Sequence, residues 1–95
     1  AQNVSWIETD LSEASLYQAD FSGADLSRSD LTSCSATEVV LTGAKLDGVI
    51  GTGMNMTEAQ LQKASFVGAR LDGANLSGAD LTGANLQAAD LSRAN

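Results

Sequence analysis

Leucine recurs at every fifth position through the C-terminal part of the chain. From Ala69 to Ser92 one unit repeats: an alanine, a polar residue, a leucine and two small or polar residues. An amphipathic helix would space its apolar positions by three and four residues, and a flat strand by two. Alanine and leucine, two residues apart, lie on one side of an extended segment. The pattern therefore predicts a short extended segment that is followed by a corner, so that each leucine faces one core.

The five-residue register extends back through the whole chain without an insertion. Glycine stands two residues after the centre of a unit at several positions, among them Gly23 and Gly83, and glycine tolerates the positive φ that a tight corner requires. Residues 1–95 are therefore predicted to form a single domain. Counted back from the last leucine, the centres of the units are Trp6, Leu11, Leu16, Phe21, Leu26, Leu31, Ala36, Leu41, Leu46, Gly51, Met56, Leu61, Phe66, Leu71, Leu76, Leu81, Leu86 and Leu91.

Several units resemble the Ala-Asp/Asn-Leu-x-x signature of the pentapeptide repeat family. The resemblance implies an all-β solenoid, a right-handed quadrilateral β-helix in which four units form one square coil. At four units per coil, the chain would form about 4.5 coils, and a spacing of about 4.8 Å per coil gives a height of about 22 Å. The units with the signature are Ala19-Asp20-Phe21, Ala24-Asp25-Leu26, Ala74-Asn75-Leu76, Ala79-Asp80-Leu81, Ala84-Asn85-Leu86 and Ala89-Asp90-Leu91.

The same pattern predicts which residues form the core. Each centre and the residue two before it should face inward, and the acidic repeat positions Asp20, Asp25, Asp80 and Asp90 should be exposed. Residues 20 apart should stack in neighbouring coils.

The middle of the chain departs from the repeat. Ala36 is a small centre, and we expect the long, adaptable side chains of Met54 and Met56 in the next coil to compensate for its volume. Gly51 is another small centre, and Val49 supplies extra volume two residues before it.

The chain is acidic, and the charge is concentrated in its first half. Asp and Glu total 12 against 5 Lys and Arg, a net charge of −7. An acidic surface argues against nucleic acid and anionic membranes as partners. No run of 18 apolar residues is present, so no membrane span is predicted. No signal peptide is recognisable, and the chain begins with Ala1. We therefore expect a soluble protein, cytoplasmic, or lumenal or periplasmic if a signal has been removed. The resembled family is abundant in cyanobacteria and chloroplast lumens.

The residues that most enzymes use are missing from the sequence. Histidine is absent, which removes the commonest general base and most metal-ligand sets. Cys34 falls two before a centre, so we interpret it as a small core residue. Asp10 and Asp30 should stack on one face, but they are solvated repeat positions, and no metal site is predicted. The sequence thus predicts no catalytic residue, no cofactor and no enzymatic activity.

Two non-enzymatic functions fit these observations. The first is a rigid scaffold that binds a protein partner; the second is an acidic DNA mimic, because some members of the resembled family imitate duplex DNA and bind DNA gyrase. A height of about 22 Å would span only about six base pairs, which favours the first. The identity of the partner stays open. The candidate partner surface comprises Tyr17, Val40, Ile50, Asp10, Asp20, Asp25 and Asp30.

The ends of the column should also matter. Trp6 is expected to cover the N-terminal end of the core. Ala94-Asn95 begin another unit without its leucine, and no segment is long enough for a capping helix. We therefore expect the C-terminal end to pack on a second copy, or to continue in a longer natural chain.

Overall fold

The computed structural model describes residues 5–95 as a stack of coils that each take 20 residues. Within this range β-pairing is confined to isolated parallel bridges between residues 20 apart. The same range contains no helix, and therefore none that could cross a membrane. The bridges define four sides: side 1 through residues 5, 25, 45, 65 and 85; side 2 through 10, 30, 50, 70 and 90; side 3 through 15, 35, 55 and 75; side 4 through 20, 40, 60 and 80. The molecule measures 30 × 24 × 24 Å.

Every side ends in a tight turn of the same kind. The residue two after each centre has a positive φ, whether it is a glycine such as Gly43 (69°) or not, as in Ala88 (61°). The turn is closed by a backbone hydrogen bond; for example, the amide of Ala24 donates to the carbonyl of Phe21 at 3.0 Å. Positive φ at the third residue is the mark of a type II turn. The predicted corners are therefore present, and each coil has four of them.

Neighbouring coils are joined by three backbone hydrogen bonds on each side. On side 4 the amides of Leu41 and Gly43 donate to the carbonyls of Gln60 and Gln62, at 2.8 and 2.9 Å. The amide of Gln60 donates back to the carbonyl of Val39 at 2.9 Å. Neighbouring coils are therefore joined by a regular set of backbone hydrogen bonds although no continuous strand forms.

The core is a column of centres and of the residues two before them. From Leu16 to Ala74 the predicted inward positions are buried, except Ala19, which is half-buried. Burial decreases toward both ends: Leu11, Leu76 and Leu86 are half-buried, and Leu91 is 38% exposed. Trp6 packs against the core and meets Phe21 edge-to-face, with ring centroids 6.0 Å apart. The inward–outward assignment is thus confirmed, with weaker shielding where a neighbouring coil is missing.

The prediction that all four acidic repeat positions are exposed is wrong for two of them. Asp80 and Asp90 are exposed, but Asp20 and Asp25 are half-buried. In Asp20 and Asp25, Oδ1 accepts the amide and hydroxyl hydrogens of the serine two residues later. The carboxylate therefore folds over its own turn.

Gly51 shows how the core adapts to a missing side chain. A Cβ built on Gly51 would lie 2.9 Å from Cδ2 of Leu71 and 3.4 Å from Sδ of Met54. These two side chains therefore occupy the space that a regular centre would fill. Met54, which the sequence predicts to compensate for the small Ala36, has its sulfur beside Gly51. Ala36 and Met56 are both fully buried.

Candidate partner-binding surface

The described residues offer flat sides rather than a cleft. No pocket opens among residues 5–95, and no group of acidic, cysteine or histidine side chains in that range could hold a metal ion. Cys34 is buried, and burial raises the pKa of its thiol to about 11. A protonated, shielded thiol is a poor nucleophile at neutral pH. The described residues therefore present only their outer surface to a partner.

The aspartates of the candidate surface also stabilise their own turns. Oδ1 of Asp10 accepts the amide hydrogen of Ser12 at 3.0 Å and its hydroxyl hydrogen at 2.6 Å. Asp30 makes the same pair of bonds to Thr32. A short side chain that accepts from the backbone two residues later is an Asx-turn. The acidic character of the surface is thus partly a consequence of how the corners are built.

Hydrogen bonds of this kind favour the ionised form of Asp10 and Asp25. The hydroxyl and then the amide of Ser12 lower the pKa of Asp10, against a small effect of burial. The bonds from Ser27 lower the pKa of Asp25, and the charges of Lys45 and Arg28 add to that effect. Donors that favour the charged form explain the direction. Both aspartates therefore carry a full negative charge at neutral pH.

The structure brings together three of the seven candidate residues. Asp10, Asp30 and Ile50 occupy successive positions of the side-2 ladder, so the predicted stacking of the two aspartates is confirmed. Ile50 is 36% exposed. Arg70 is the next residue of that ladder.

The other four candidate residues lie elsewhere. Asp25 belongs to side 1, and Asp20 and Val40 are neighbours on side 4. Tyr17 is 55% exposed and lies beside the side-3 ladder, two residues after Ser15. Val40 and Ile50 are thus on different sides, as predicted, and the seven residues do not form one surface.

Glu13 was missed by the sequence analysis and belongs to the same side as Asp10 and Asp30. It follows Leu11 by two residues and is exposed at the corner of side 2, with a φ of 61°. Counting four units per coil would have placed it there. We call Asp10, Glu13, Asp30 and Ile50 the side-2 patch. On side 2 the first basic residue is Arg70, so the patch itself contains no cation.

Side 1 differs in its electrostatics. It carries Arg28 and Lys45 among its acidic residues, and Nε of Arg28 lies 3.6 Å from a carboxylate oxygen of Glu8. Both side chains are largely exposed, so this ion pair is worth little in stability. It does offset negative charge on side 1, and the N-terminal part of side 2 has no such compensation.

The chain belongs to the pentapeptide repeat family. The family profile, described as pentapeptide repeats (8 copies), matches residues 1–32, 34–73 and 59–95. No curated protein sequence matches the chain significantly.

Solved structures agree with this assignment. HetL, a pentapeptide repeat protein involved in heterocyst differentiation regulation from the cyanobacterium Nostoc sp. strain PCC 7120, is 35% identical, with a TM-score of 0.63 over 98% of this chain. A pentapeptide repeat protein from the Arabidopsis thaliana thylakoid lumen is 24% identical, with a TM-score of 0.57 over 93% of this chain. These neighbours support the predicted right-handed quadrilateral β-helix.

The chain is shorter than these relatives. It spans 44% of HetL and 65% of the Arabidopsis protein. QnrB1, a plasmid-mediated fluoroquinolone resistance protein, is 18% identical, with a TM-score of 0.45 over 99% of this chain and 70% of its own. At that distance the likeness carries no functional argument.

Proposed function

We propose that this chain is a non-enzymatic binding module that engages a protein partner through the side-2 patch. The observation that carries the proposal is the side-2 ladder, in which Asp10, Asp30 and the exposed Ile50 follow one another without an intervening cation. The repeat supplies the rigid support, because each level is hydrogen-bonded to the next. A preformed surface avoids the entropic cost of ordering on binding. The module would act in a soluble compartment.

The charges and the apolar residue of the side-2 patch indicate which side chains a partner segment would carry. Asp10 and Asp30 are one coil apart, so they would face two basic side chains spaced by about one strand separation of 4.8 Å. Ile50, one coil further along, would contact an apolar side chain of the same partner. Complementary charge would mainly accelerate association and fix the alignment of the partner along side 2. The apolar contact would lengthen the lifetime of the complex. We therefore expect a partner segment with neighbouring Lys or Arg residues followed by a large apolar residue.

Affinity capture with matched variants tests this proposal. The patch variant is Asp10→Asn with Asp30→Asn and Ile50→Asn. The side chain of Asn55 accepts the amide hydrogen of Thr57 at 3.0 Å, so an amide preserves the turn bond. The control, Asp25→Asn with Asp80→Asn, makes the same change in charge on sides 1 and 4. Proteins retained from an extract of the source organism would be identified, and the affinity of purified candidates measured by calorimetry.

The expected result is a partner whose affinity falls about tenfold or more with the patch variant and little with the control, as for loss of a central contact and its charges. Equal affinity of the wild type and the patch variant would show that side 2 is not the binding surface. If no protein binds the wild type more tightly than the patch variant, the proposal fails.

The DNA-mimic alternative is tested separately. The longest dimension of 30 Å corresponds to about nine base pairs. Basic residues interrupt the negative charge on sides 1, 2 and 4, for example Lys45, Arg70 and Lys63. A supercoiling assay with DNA gyrase and added protein distinguishes the two functions. Inhibition at micromolar concentration would favour the mimic, and its absence would exclude it.

A further inference from the structure

Ile50 divides side 2 into an acidic half and a half that carries two arginines. The ladder of this side takes one residue from each coil, in the order Asp10, Asp30, Ile50, Arg70 and Asp90. The corner residue beside Asp10 is Glu13, and the corner residue beside Asp90 is Arg93. Both corner residues are exposed. Carboxylates alone therefore precede Ile50 along this side, and two guanidinium groups follow it.

The two arginines can pair with carboxylates of another molecule. Both are exposed, and within residues 5–95 neither Arg70 nor Arg93 forms an ion pair. Hydrogen bonds within its own turn, and then the charges of these two arginines, lower the pKa of Asp90. The other aspartate of this half, Asp72, accepts the hydroxyl hydrogen of Thr52 at 2.9 Å. A guanidinium group presents several donors in one plane, which suits it to a carboxylate on a facing surface.

We propose that the partner of the side-2 patch is side 2 of a second copy, packed face to face and antiparallel about a two-fold axis at Ile50. Reversing the direction of one ladder sets Asp30 of each copy opposite Arg70 of the other. At the corners, Glu13 comes opposite Arg93, and the two Ile50 side chains meet on the axis. This inference rests on the proposed function, because the second copy supplies the basic side chains and the apolar residue that the patch requires.

Other ways of pairing two copies through side 2 are less favourable. Parallel packing would place the acidic half of one copy against the acidic half of the other. An antiparallel arrangement shifted by one coil would bring Asp30 against Ile50, which would desolvate a charge without a partner. In the proposed arrangement Asp10 faces Asp90, and the arginines beside Asp90 reduce this repulsion. The two kinds of ion pair, each formed twice, therefore outweigh the one like-charge contact, which is also formed twice.

The size of this contact is that of a weak, reversible dimer. The two shorter dimensions of the molecule are both 24 Å. Full overlap of two sides would therefore cover roughly 500 Å² on each copy and about 1,000 Å² in total, which is the lower limit for a specific interface. A two-fold contact closes on itself, so association should stop at the dimer.

Sedimentation of the purified chain from about 1 µM to about 500 µM tests whether the dimer forms. The wild type should pass from the 9.7 kDa monomer to a species of twice that mass and grow no further. Raising the salt concentration from about 50 mM to about 500 mM should weaken the association, because ion pairs that solvent reaches are screened. A wild type that stays monomeric at the highest concentration, or that forms species larger than a dimer, would overturn the proposal.

Charge exchange tests the antiparallel arrangement. Asp30→Lys and Arg70→Glu each set like charges opposite one another at two places in the dimer, so each alone should raise the dissociation constant about tenfold or more. In an equimolar mixture each variant meets the complementary charge on the other, and a heterodimer should form with an affinity within about threefold of the wild type. Lys45 and Gln60 occupy equivalent ladder positions, so side chains of this length are compatible with the fold. Asp80→Lys is the matched control on side 4 and should dimerise as the wild type does.

The outcomes distinguish this inference from the proposed function. Loss of the dimer in each single variant and its recovery in the mixture would support the antiparallel pair. Unchanged association of the single variants, equal loss with Asp80→Lys, or a mixture that does not recover although circular dichroism shows folded variants would overturn it. A different protein whose binding depends on the side-2 patch would then still support the proposed function. The proposed function itself fails if neither a second copy nor another protein distinguishes the wild type from the patch variant.

Discussion

At the scale of single residues, the aspartates that make this chain acidic also accept hydrogen bonds within its turns. At nine positions an aspartate or asparagine Oδ1 accepts the amide hydrogen two residues later. Asp and Asn serve alike, because only a short acceptor is needed. Part of the net charge of −7 therefore arises from local structure. The nine residues are Asp10, Asp20, Asp25, Asp30, Asn55, Asn75, Asp80, Asn85 and Asp90.

These turns should make stability depend on pH in acid. The bonds from Ser12, Ser27, Thr82 and Ser92 lower the folded-state pKa values of Asp10, Asp25, Asp80 and Asp90. A carboxyl group whose pKa is lowered by folding stabilises the fold at pH values above its unfolded pKa of about 3.9. That stabilisation is lost as the pH falls from about 4 through the lower folded values. Urea unfolding should therefore show a lower free energy of unfolding at pH 3 than at pH 7.

A variant with asparagine at these four positions provides the control. It should retain its turns, as Asn55 does, while losing the four titrating groups. Its free energy of unfolding should change less between pH 7 and pH 3 than that of the wild type. An identical pH dependence in the two proteins would mean that other carboxyl groups cause the acid sensitivity.

At the scale of the structural element, each turn requires one residue in the left-handed backbone conformation, yet many turns have a residue other than glycine there. Ala88, Lys63 and Glu58 adopt φ values of 61°, 60° and 58°, close to the 69° of Gly43. A side chain in that region is strained by about 1–2 kcal/mol, and glycine costs about 0.5–1 kcal/mol in lost chain entropy. Because the strain exceeds the entropic cost, these turns are stabilised by the coils above and below rather than by their own sequence.

Glycine at position 88 should consequently stabilise the protein. We expect Ala88→Gly to raise the free energy of unfolding by about 0.5–1 kcal/mol, which is the difference between the two effects. The reverse exchange, Gly43→Ala, should lower the free energy of unfolding by a similar amount. A Cβ at position 43 would meet nothing within 4 Å, so backbone strain and not a steric clash would cause the loss. Urea unfolding measures both changes. Destabilisation by Ala88→Gly would contradict the strain argument.

Across the molecule as a whole, stability should depend on the level within the column. Leu46 is completely buried between coils, whereas Leu91 is 38% exposed. Leu46→Ala should cost about 2–5 kcal/mol through lost transfer free energy and a cavity. Leu91→Ala should cost less, because more of the apolar area of Leu91 stays in contact with water. Both changes would be measured by urea unfolding. Equal costs would contradict the graded core.

The period, the inward positions and the corners could all be predicted from the amino-acid sequence, because each depends on residues within one unit. Leu46 and Ala44 face inward since they are two apart on an extended segment, and Gly43 marks a turn since it tolerates positive φ. Even Glu13 could have been placed on side 2 by counting units. The position of the Met54 sulfur beside Gly51 could not be predicted in this way, because the direction of a flexible side chain is not set by its position in a repeat.

Side-chain contacts within the packed column could be seen only in the tertiary structure. Met54 and Leu71 fill the space at Gly51. Asp47 accepts the amide hydrogen of Val67 at 3.0 Å and the hydroxyl hydrogen of Ser65, so it stabilises a turn one coil away in which Ser65 replaces the usual Asp or Asn. The contacts of Leu71 with the space at Gly51 and of Asp47 with Ser65 and Val67 join residues about 20 apart. They depend on side-chain volume and rotamer in the packed column, which a five-residue pattern does not encode.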